Sequence, residues 1–433
     1  MFNLNDNLKN KKILIYGYGK SGQASFKYLK KKNKISIYDD NKKIKKSSIS
    51  FKKIRISEFD YIVLSPGIDI NKCKLKNYIK KNKRKIVTDL DIFHLNNPKN
   101  LKITITGTNG KSTTAKLLFK ILKDQNKDVK LIGNIGIPVL SRNKIKPKTI
   151  FVIEASSYQI DYSQYFKTDY AFILNIRPDH LERHKSIQKY TFAKFKLILN
   201  QNKNFHAFVE NNKYLNQQIK KHKIKSKIIK INTNYNKIKK LISNSYFDNI
   251  NNLTNLSFIL EFAKVYNLNK SKLLNSVNLF KGLDFRQQVI YKNNFVTIIN
   301  DSKSTSFSSS VNLLKSYKNI FWILGGLAKK GDKLELSPKY YKNIKGYIFG
   351  KDKSFFEKKL NNKIKSNNYK NLENILQKII KEIKLKKNKH TYILFSPAAA
   401  SFDKFKNFED RGNYFNYLIK KLKFIKKIND RPK

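Results

Sequence analysis

Residues 103–114 read Ile-Thr-Ile-Thr-Gly-Thr-Asn-Gly-Lys-Ser-Thr-Thr, an order that could hold a triphosphate. The turn Gly107-Thr108-Asn109-Gly110 separates a short alternating apolar run from Lys111, Ser112 and Thr113. Ala115, Leu118, Phe119 and Leu122 then recur at helical spacing. Strand, glycine turn, Lys-Ser and helix together make a phosphate cradle. Backbone N–H groups and the helix N-terminus face the anion, Lys111 reaches the terminal phosphates, and the Ser112 hydroxyl is offered to Mg2+. Ile105 stands where the strict Walker pattern has Gly, so the loop is a shortened one. Glu154 closes the apolar run Ile150–Ile153, and a carboxylate ending a neighbouring strand is placed to hold the same cation. His180, beside Asp179 after the next apolar run, could be a second ligand or a hydrogen-bonding residue. Gly17, Gly19 and Gly22 form a full G-x-G-x-x-G, and Asp39 follows about 20 residues on, the spacing of a nucleotide-diphosphate turn. Ser65 and Gly67, after a further strand, could close the same crevice. Arg286 could reach a nucleotide phosphate across a cleft.

The elements that must carry these groups alternate along the chain. Ile13–Tyr16, Ile35–Tyr38, Tyr61–Leu64 and Ile86–Val87 read as strands, with a helix over Ser21–Leu29. Ala171–Leu174 and a stretch around Ile228, Ile229 and Ile231 are further strands. The pattern restarts with Phe295–Ile299, Phe321–Leu324, Tyr347–Phe349 and Tyr392–Phe395. Such alternation predicts parallel sheets with crossover helices, and the length suits about three domains. We place their boundaries at 1–95, 96–282 and 283–433. Polar loops at the carboxyl ends of the last strands, including Asn300-Asp301-Ser302-Lys303, are where open parallel sheets put ligands. The basic tail after Lys420 is expected to fray.

Composition narrows the class. No apolar run is long enough for a membrane span. The start, MFNLNDNLKNKK, lacks the apolar core of a signal peptide. A single cysteine, Cys73, excludes an intramolecular disulfide and suits a reducing cytoplasm. The net charge of +62 would suit a polyanion. Its excess is diffuse lysine rather than clustered arginine with stacking aromatics, so it reads as compositional drift without specific nucleic-acid recognition. With no long apolar heptad, the default is a monomer.

The motifs GTNGKST (107–113), EASSYQ (154–159), NIRPDH (175–180), YTFAK (190–194), NDSKST (300–305) and SPAAASFDKFKNFEDRG (396–412) resemble those of the Mur ligases. They run in order through nearly the whole chain, and are most like the branch that adds D-glutamate. The resemblance implies three α/β domains. These are an N-terminal Rossmann-like domain for a UDP-sugar, a central P-loop-type domain for ATP, and a C-terminal Rossmann-like domain for an amino acid. It implies an ATP-dependent ligase of cytoplasmic peptidoglycan precursor synthesis, joining D-glutamate to UDP-N-acetylmuramoyl-L-alanine through an acyl phosphate. By resemblance Lys111, Glu154, His180 and Lys194 are catalytic. Ser112, Glu154, His180 and a CO2-derived carbamate on Lys194 would hold two Mg2+ ions. Gly107, Thr108, Asn109, Gly110, Lys111, Ser112, Thr113, Asn252, Arg286 and Asp301 match ATP-binding positions. Gly17, Gly19, Gly22, Asp39, Ser65, Gly67, Asn134 and Ser156 match the UDP-substrate site; Lys303, Thr305, Lys329, Ser401 and Phe408 match the amino-acid pocket. Phe285, Ser306 and Tyr158 depart from the usual His, Asn and Phe. Another amino acid, L-glutamate, or a basic nucleotide- or nucleic-acid-binding protein with relic sites are the other readings.

Overall fold

The computed structural model describes residues 8–41, 44, 47–141, 145–329, 331–385 and 390–429. They form two compact units, Met1–Ile242 with Thr254–Asn278, and Ser243–Leu253 with Leu279–Lys433.

The first unit holds two parallel sheets. Strands β1 (Lys12–Tyr16), β2 (Lys34–Tyr38), β3 (Tyr61–Leu64) and β4 (Ile86–Val87) lie in the order β2-β1-β3-β4. Strands β5 (Lys102–Thr106), β6 (Val129–Gly133), β7 (Ile150–Glu154), β8 (Tyr170–Ile173), β9 (His206–Glu210) and β10 (Lys227–Ile231) lie in the order β10-β9-β8-β5-β7-β6. Every residue of β5 and β7 is buried, as expected of central parallel strands covered by helices on both faces. In each sheet the chain reverses its winding beside the first strand, and ligands of open α/β sheets bind at such reversals. The glycine turn leaves β1 there and the phosphate loop leaves β5 there. Asp91 joins the two layers: its Oδ1 accepts the backbone N–H groups of Gln164, Tyr165 and Phe166 at 2.8–3.0 Å.

The Lys/Asn-rich region between Asn211 and Asn252, where only one strand is expected, also holds helices. Asn212 caps Lys213–Lys221 and Asn234 caps Tyr235–Lys239, each accepting a backbone N–H at 3.0 Å. Asn-rich sequence here starts helices as well as turns.

The second unit holds β11 (Gln288–Lys292), β12 (Val296–Asn300), β13 (Ile320–Gly325), β14 (Ile344–Phe349), β15 (Ser366–Asn368) and β16 (Thr391–Phe395), in the order β11-β12-β16-β13-β14-β15. Only β11 is antiparallel to its neighbour. The expectation of a frayed tail is corrected: Phe424–Asn429 is a helix, and Phe424 and Ile428 are buried in one core with Ile375, Ile379 and Phe415. Two apolar side chains four apart anchor that last turn despite its lysines. Residues 430–433 lie outside the described residues.

Candidate active site

The phosphate loop is shaped by its glycines. Gly107 has φ 151° and Gly110 φ 83°, and Gly110 caps the helix Lys111–Asp124. A Cβ on Gly110 would overlap the Asn255 side chain. Asn175 braces the loop, accepting from Asn109 N at 2.8 Å and donating to Asn109 O at 3.0 Å. Lys111 Nζ donates to the carbonyls of Gly107 and Thr108 at 2.9 and 2.8 Å. Thr108 Oγ1 lies 3.2 Å from the Tyr190 hydroxyl. Ser112 and Thr113 are buried at the start of the helix.

Register carries Glu154 to this loop, because β7 pairs with β5 so that Glu154 faces Ile105. Its carboxylate is buried. Oε1 accepts from Asn134 Nδ2 at 2.9 Å, while Oε2 has no partner. Lys194, on the helix Ile187–Leu199, is also buried, with Nζ 3.0 Å from Gly107 O and 3.3 Å from Thr106 Oγ1. Burial first, and the Lys111 charge second, pull its amine well below the usual lysine value; Asp179 and Glu154 oppose them. Lys111, Glu154, Asp179 and Lys194 therefore share one corner.

His180 caps the short helix Leu181–His184 in the left-handed region, φ 54°, with Nε2 3.4 Å from Asp179 Oδ2. Tyr158 lies between the His180 ring, 4.9 Å away, and the Arg183 guanidinium, 3.9 Å from its centroid. Ser156 caps the helix Ser157–Tyr162, where its hydroxyl and N–H meet Gln159 Oε1.

At the end of β1, Gly17 (φ 92°) packs on Ser65, whose hydroxyl donates to Gly17 O at 2.7 Å. Gly19 and Gly67 have nothing within 4 Å of a Cβ position, so both leave the crevice open. Asp39 accepts from Tyr18 N at 2.6 Å, fixing the turn to the end of β2. A Cβ on Gly22 would overlap the Gly17 carbonyl. We expect Gly22→Ala to cost about 3 kcal/mol by overpacking and to raise the KM for a nucleotide-sugar, read by denaturant melts and initial rates.

In the second unit, Asp301 follows β12 and is buried. It accepts from Ser396 Oγ at 2.8 Å and Gln287 N at 3.1 Å, and burial pushes its carboxyl up to about 7 against Arg286 and Arg411. Asn252 donates to Tyr246 O at 2.8 Å. Phe285 packs against Gly412, so the missing histidine is replaced by an apolar contact. Ser306 caps the helix Phe307–Ser316, with its N–H 3.2 Å from Ser309 Oγ. Lys303 Nζ lies 4.1 Å from the Phe408 ring centroid, Ser401 is buried nearby in sequence, and Thr305 and Lys329 are exposed.

The Mur ligase middle-domain model matches residues 105–269. The UDP-N-acetylmuramoylalanine–D-glutamate ligase of Rickettsia felis is 33% identical over 95% of this chain and 97% of its own length. The chain belongs to the Mur ligase family. An enzyme of the same name from Francisella tularensis subsp. novicida is 34% identical, covering 97% of this Mur ligase and 98% of the relative. The solved UDP-N-acetylmuramate-alanine ligase of Thermotoga maritima shares the fold, with TM-score 0.57 over 95% of this chain and all of its own, at 14% identity.

Magnesium, which Mur ligase chemistry implies, fits this corner. The orphaned, buried Glu154 Oε2 is an oxygen ligand awaiting a cation, and the Ser112 hydroxyl stands at the loop. Yet among the described residues no three His, Cys, Asp or Glu side chains cluster as a metal site. The donor set is short of a carboxylate, and the buried Lys194, its pKa pulled down by burial, lies in the same corner. Sequence spacing assigns no role to Asn175, Tyr190 or Arg183; Asn175 pairs with Asn109, 66 residues away, Tyr190 with Thr108, 82 away, and Arg183 with Tyr158 and Tyr162, 25 and 21 away.

Proposed function

We propose that this Mur ligase is an ATP-dependent amide ligase that joins D-glutamate to UDP-N-acetylmuramoyl-L-alanine in cytoplasmic peptidoglycan precursor synthesis. One geometric observation carries the chemistry: a buried lysine and a buried, half-satisfied glutamate meet at the lip of a phosphate loop. The amino acid and nucleotide-sugar are those that the relatives matched over nearly their full length are named for. No helix among the described residues is long and apolar enough to cross a membrane.

In this reading a carboxylate, a poor electrophile, is activated by transfer of the ATP γ-phosphoryl group. The loop N–H groups and Lys111 hold the phosphates and offset charge on the group in flight. The Lys194 amine adds CO2 and loses a proton, becoming an anionic carbamate. With Ser112, Glu154 and His180 it would hold two magnesium ions, whose contribution is Lewis-acid neutralisation of phosphoryl charge. Gly17, Gly19, Gly22, Asp39, Ser65, Gly67, Asn134 and Ser156 seat the UDP-sugar. Asn252, Arg286 and Asp301 complete the ATP site. The free amine of D-glutamate, its carboxylates met by Lys303, Thr305, Lys329, Ser401 and Phe408, attacks the acyl phosphate, and phosphate leaves.

The test is phosphate release by the purified chain. It should require ATP, UDP-N-acetylmuramoyl-L-alanine and D-glutamate together. Release that is indifferent to the amino acid, or equal with L-glutamate, would remove the assignment.

A further inference from the structure

Arg411 is wholly buried in the second unit, and the proposed reaction gives it no task. Its Nε donates to Ser302 Oγ at 3.1 Å. Its Nη2 donates to the carbonyl oxygens of Ser302 at 2.7 Å and Ala399 at 3.0 Å. Ser302 Oγ passes the tie onward, donating to Phe408 O at 2.8 Å. Nη1 has no partner and lies against Gly326, at the start of the segment leading to Lys329. Burial pulls the guanidinium down to about 10, with Asp403 and Asp301 opposing, so it stays charged at neutral pH. Burying a charge on neutral oxygens is costly, and a core built for stability alone would be better served by an apolar side chain.

The position of its acceptors suggests what the cost secures. Lys303 and Thr305 follow Ser302, Ser401 follows Ala399, and Phe408 supplies the last carbonyl. Two stretches far apart in sequence, 302–305 and 399–408, are therefore tied together, by the planar fork at Ser302 and Ala399 and by Ser302 Oγ at Phe408, and between them they carry four of the five residues of the proposed amino-acid pocket. We propose that Arg411 is the positioning residue of that pocket: its fork sets the spacing of Lys303, Thr305, Ser401 and Phe408, and so the fit of an acidic amino acid. This rests on the reading of the pocket given above. Asp301 takes its hydrogen bonds from Ser396 and Gln287 and feels Arg411 only through charge, which a lysine at 411 retains, so the nucleotide side need not follow.

The experiment compares Arg411→Lys and Ser302→Ala with the wild type, measuring KM for all three substrates. Lysine keeps the charge but offers one point of donation in place of a fork. We expect Arg411→Lys to raise the KM for the amino acid that the wild type consumes about tenfold, while those for ATP and the nucleotide-sugar hold within about twofold. Ser302→Ala, which removes the hydroxyl's ties to Arg411 Nε and Phe408 O but leaves both Nη2 bonds, should show the same selectivity at about threefold. Unchanged amino-acid KM, or three values rising together, would overturn the proposal. If Arg411→Lys does not fold, Ser302→Ala decides by the same criterion. A wild type that consumes no amino acid would overturn the pocket reading itself, whereas an active wild type with unselective variants would overturn the role of Arg411 alone.

Discussion

Replacing Lys194 with alanine is expected to cut kcat on the order of a thousandfold, the scale of losing a group that organises transition-state charge. The melting temperature should hold or rise. The amine sits inside the protein, hydrogen-bonded to Thr106 Oγ1 and Gly107 O and 4.7 Å from the Tyr190 ring centroid, and a protonated lysine there would face Lys111. Its proton is therefore held more weakly than an ordinary lysine's, which in the proposed reading favours the nucleophilic amine that captures CO2. Alanine has no amine, so added bicarbonate should restore nothing to the variant, while stripping CO2 from wild-type buffers should slow the wild type. The sign for stability follows from the same shift. Between the lowered folded value and the ordinary 10.5, the unfolded chain binds a proton that the native chain does not, so wild-type stability rises with pH across that window. The alanine variant should lose this slope. Full activity in Lys194→Ala would remove the carbamate from the mechanism.

That lysine also marks where sequence stops being legible. In a chain with net charge +62, one more lysine carries no signal, and burial sets it apart from every described lysine but Lys102. The resemblance, not the composition, singles it out. Central strands were readable because covering both faces of a parallel sheet demands continuous apolar runs, as in Ile150–Ile153 and Phe321–Leu324. Edge strands lack that demand. Strand β15 is Ser-Asn-Asn, β11 is half exposed, and β6 is only partly buried, so none was foreseen. The His206–Glu210 strand was missed for its polar ends. Glycine turns announced themselves because positive φ and close approach admit few other residues, as at Gly17 and Gly110. Asn175 and Arg411 did not, since their roles come from partners 66 and 109 residues away.

Lys111→Ala should abolish phosphate release while leaving the fold intact, with kcat lower by about two to three orders of magnitude. The side chain is half-buried and donates to the Gly107 and Thr108 carbonyls of its own loop. Alanine is the best helix former, and the residue opens a helix anchored by buried Ala115, Leu118 and Leu122. The melting curve should therefore shift by only a few degrees, as about 1 kcal/mol would give. Catalysis has no such substitute in the proposed reading, where Lys111 is the cation that the loop itself would bring to the terminal phosphate. The loss should also reach Lys194. Removing the Lys111 charge takes away one of the two causes that lower the Lys194 pKa, so more of that amine stays protonated and less is open to CO2. Residual activity in Lys111→Ala should then need a higher pH or more bicarbonate than the wild type. A variant with residual turnover at the wild-type bicarbonate requirement would show that the two lysines act independently. A variant that keeps the wild-type kcat would place the transferred phosphate elsewhere.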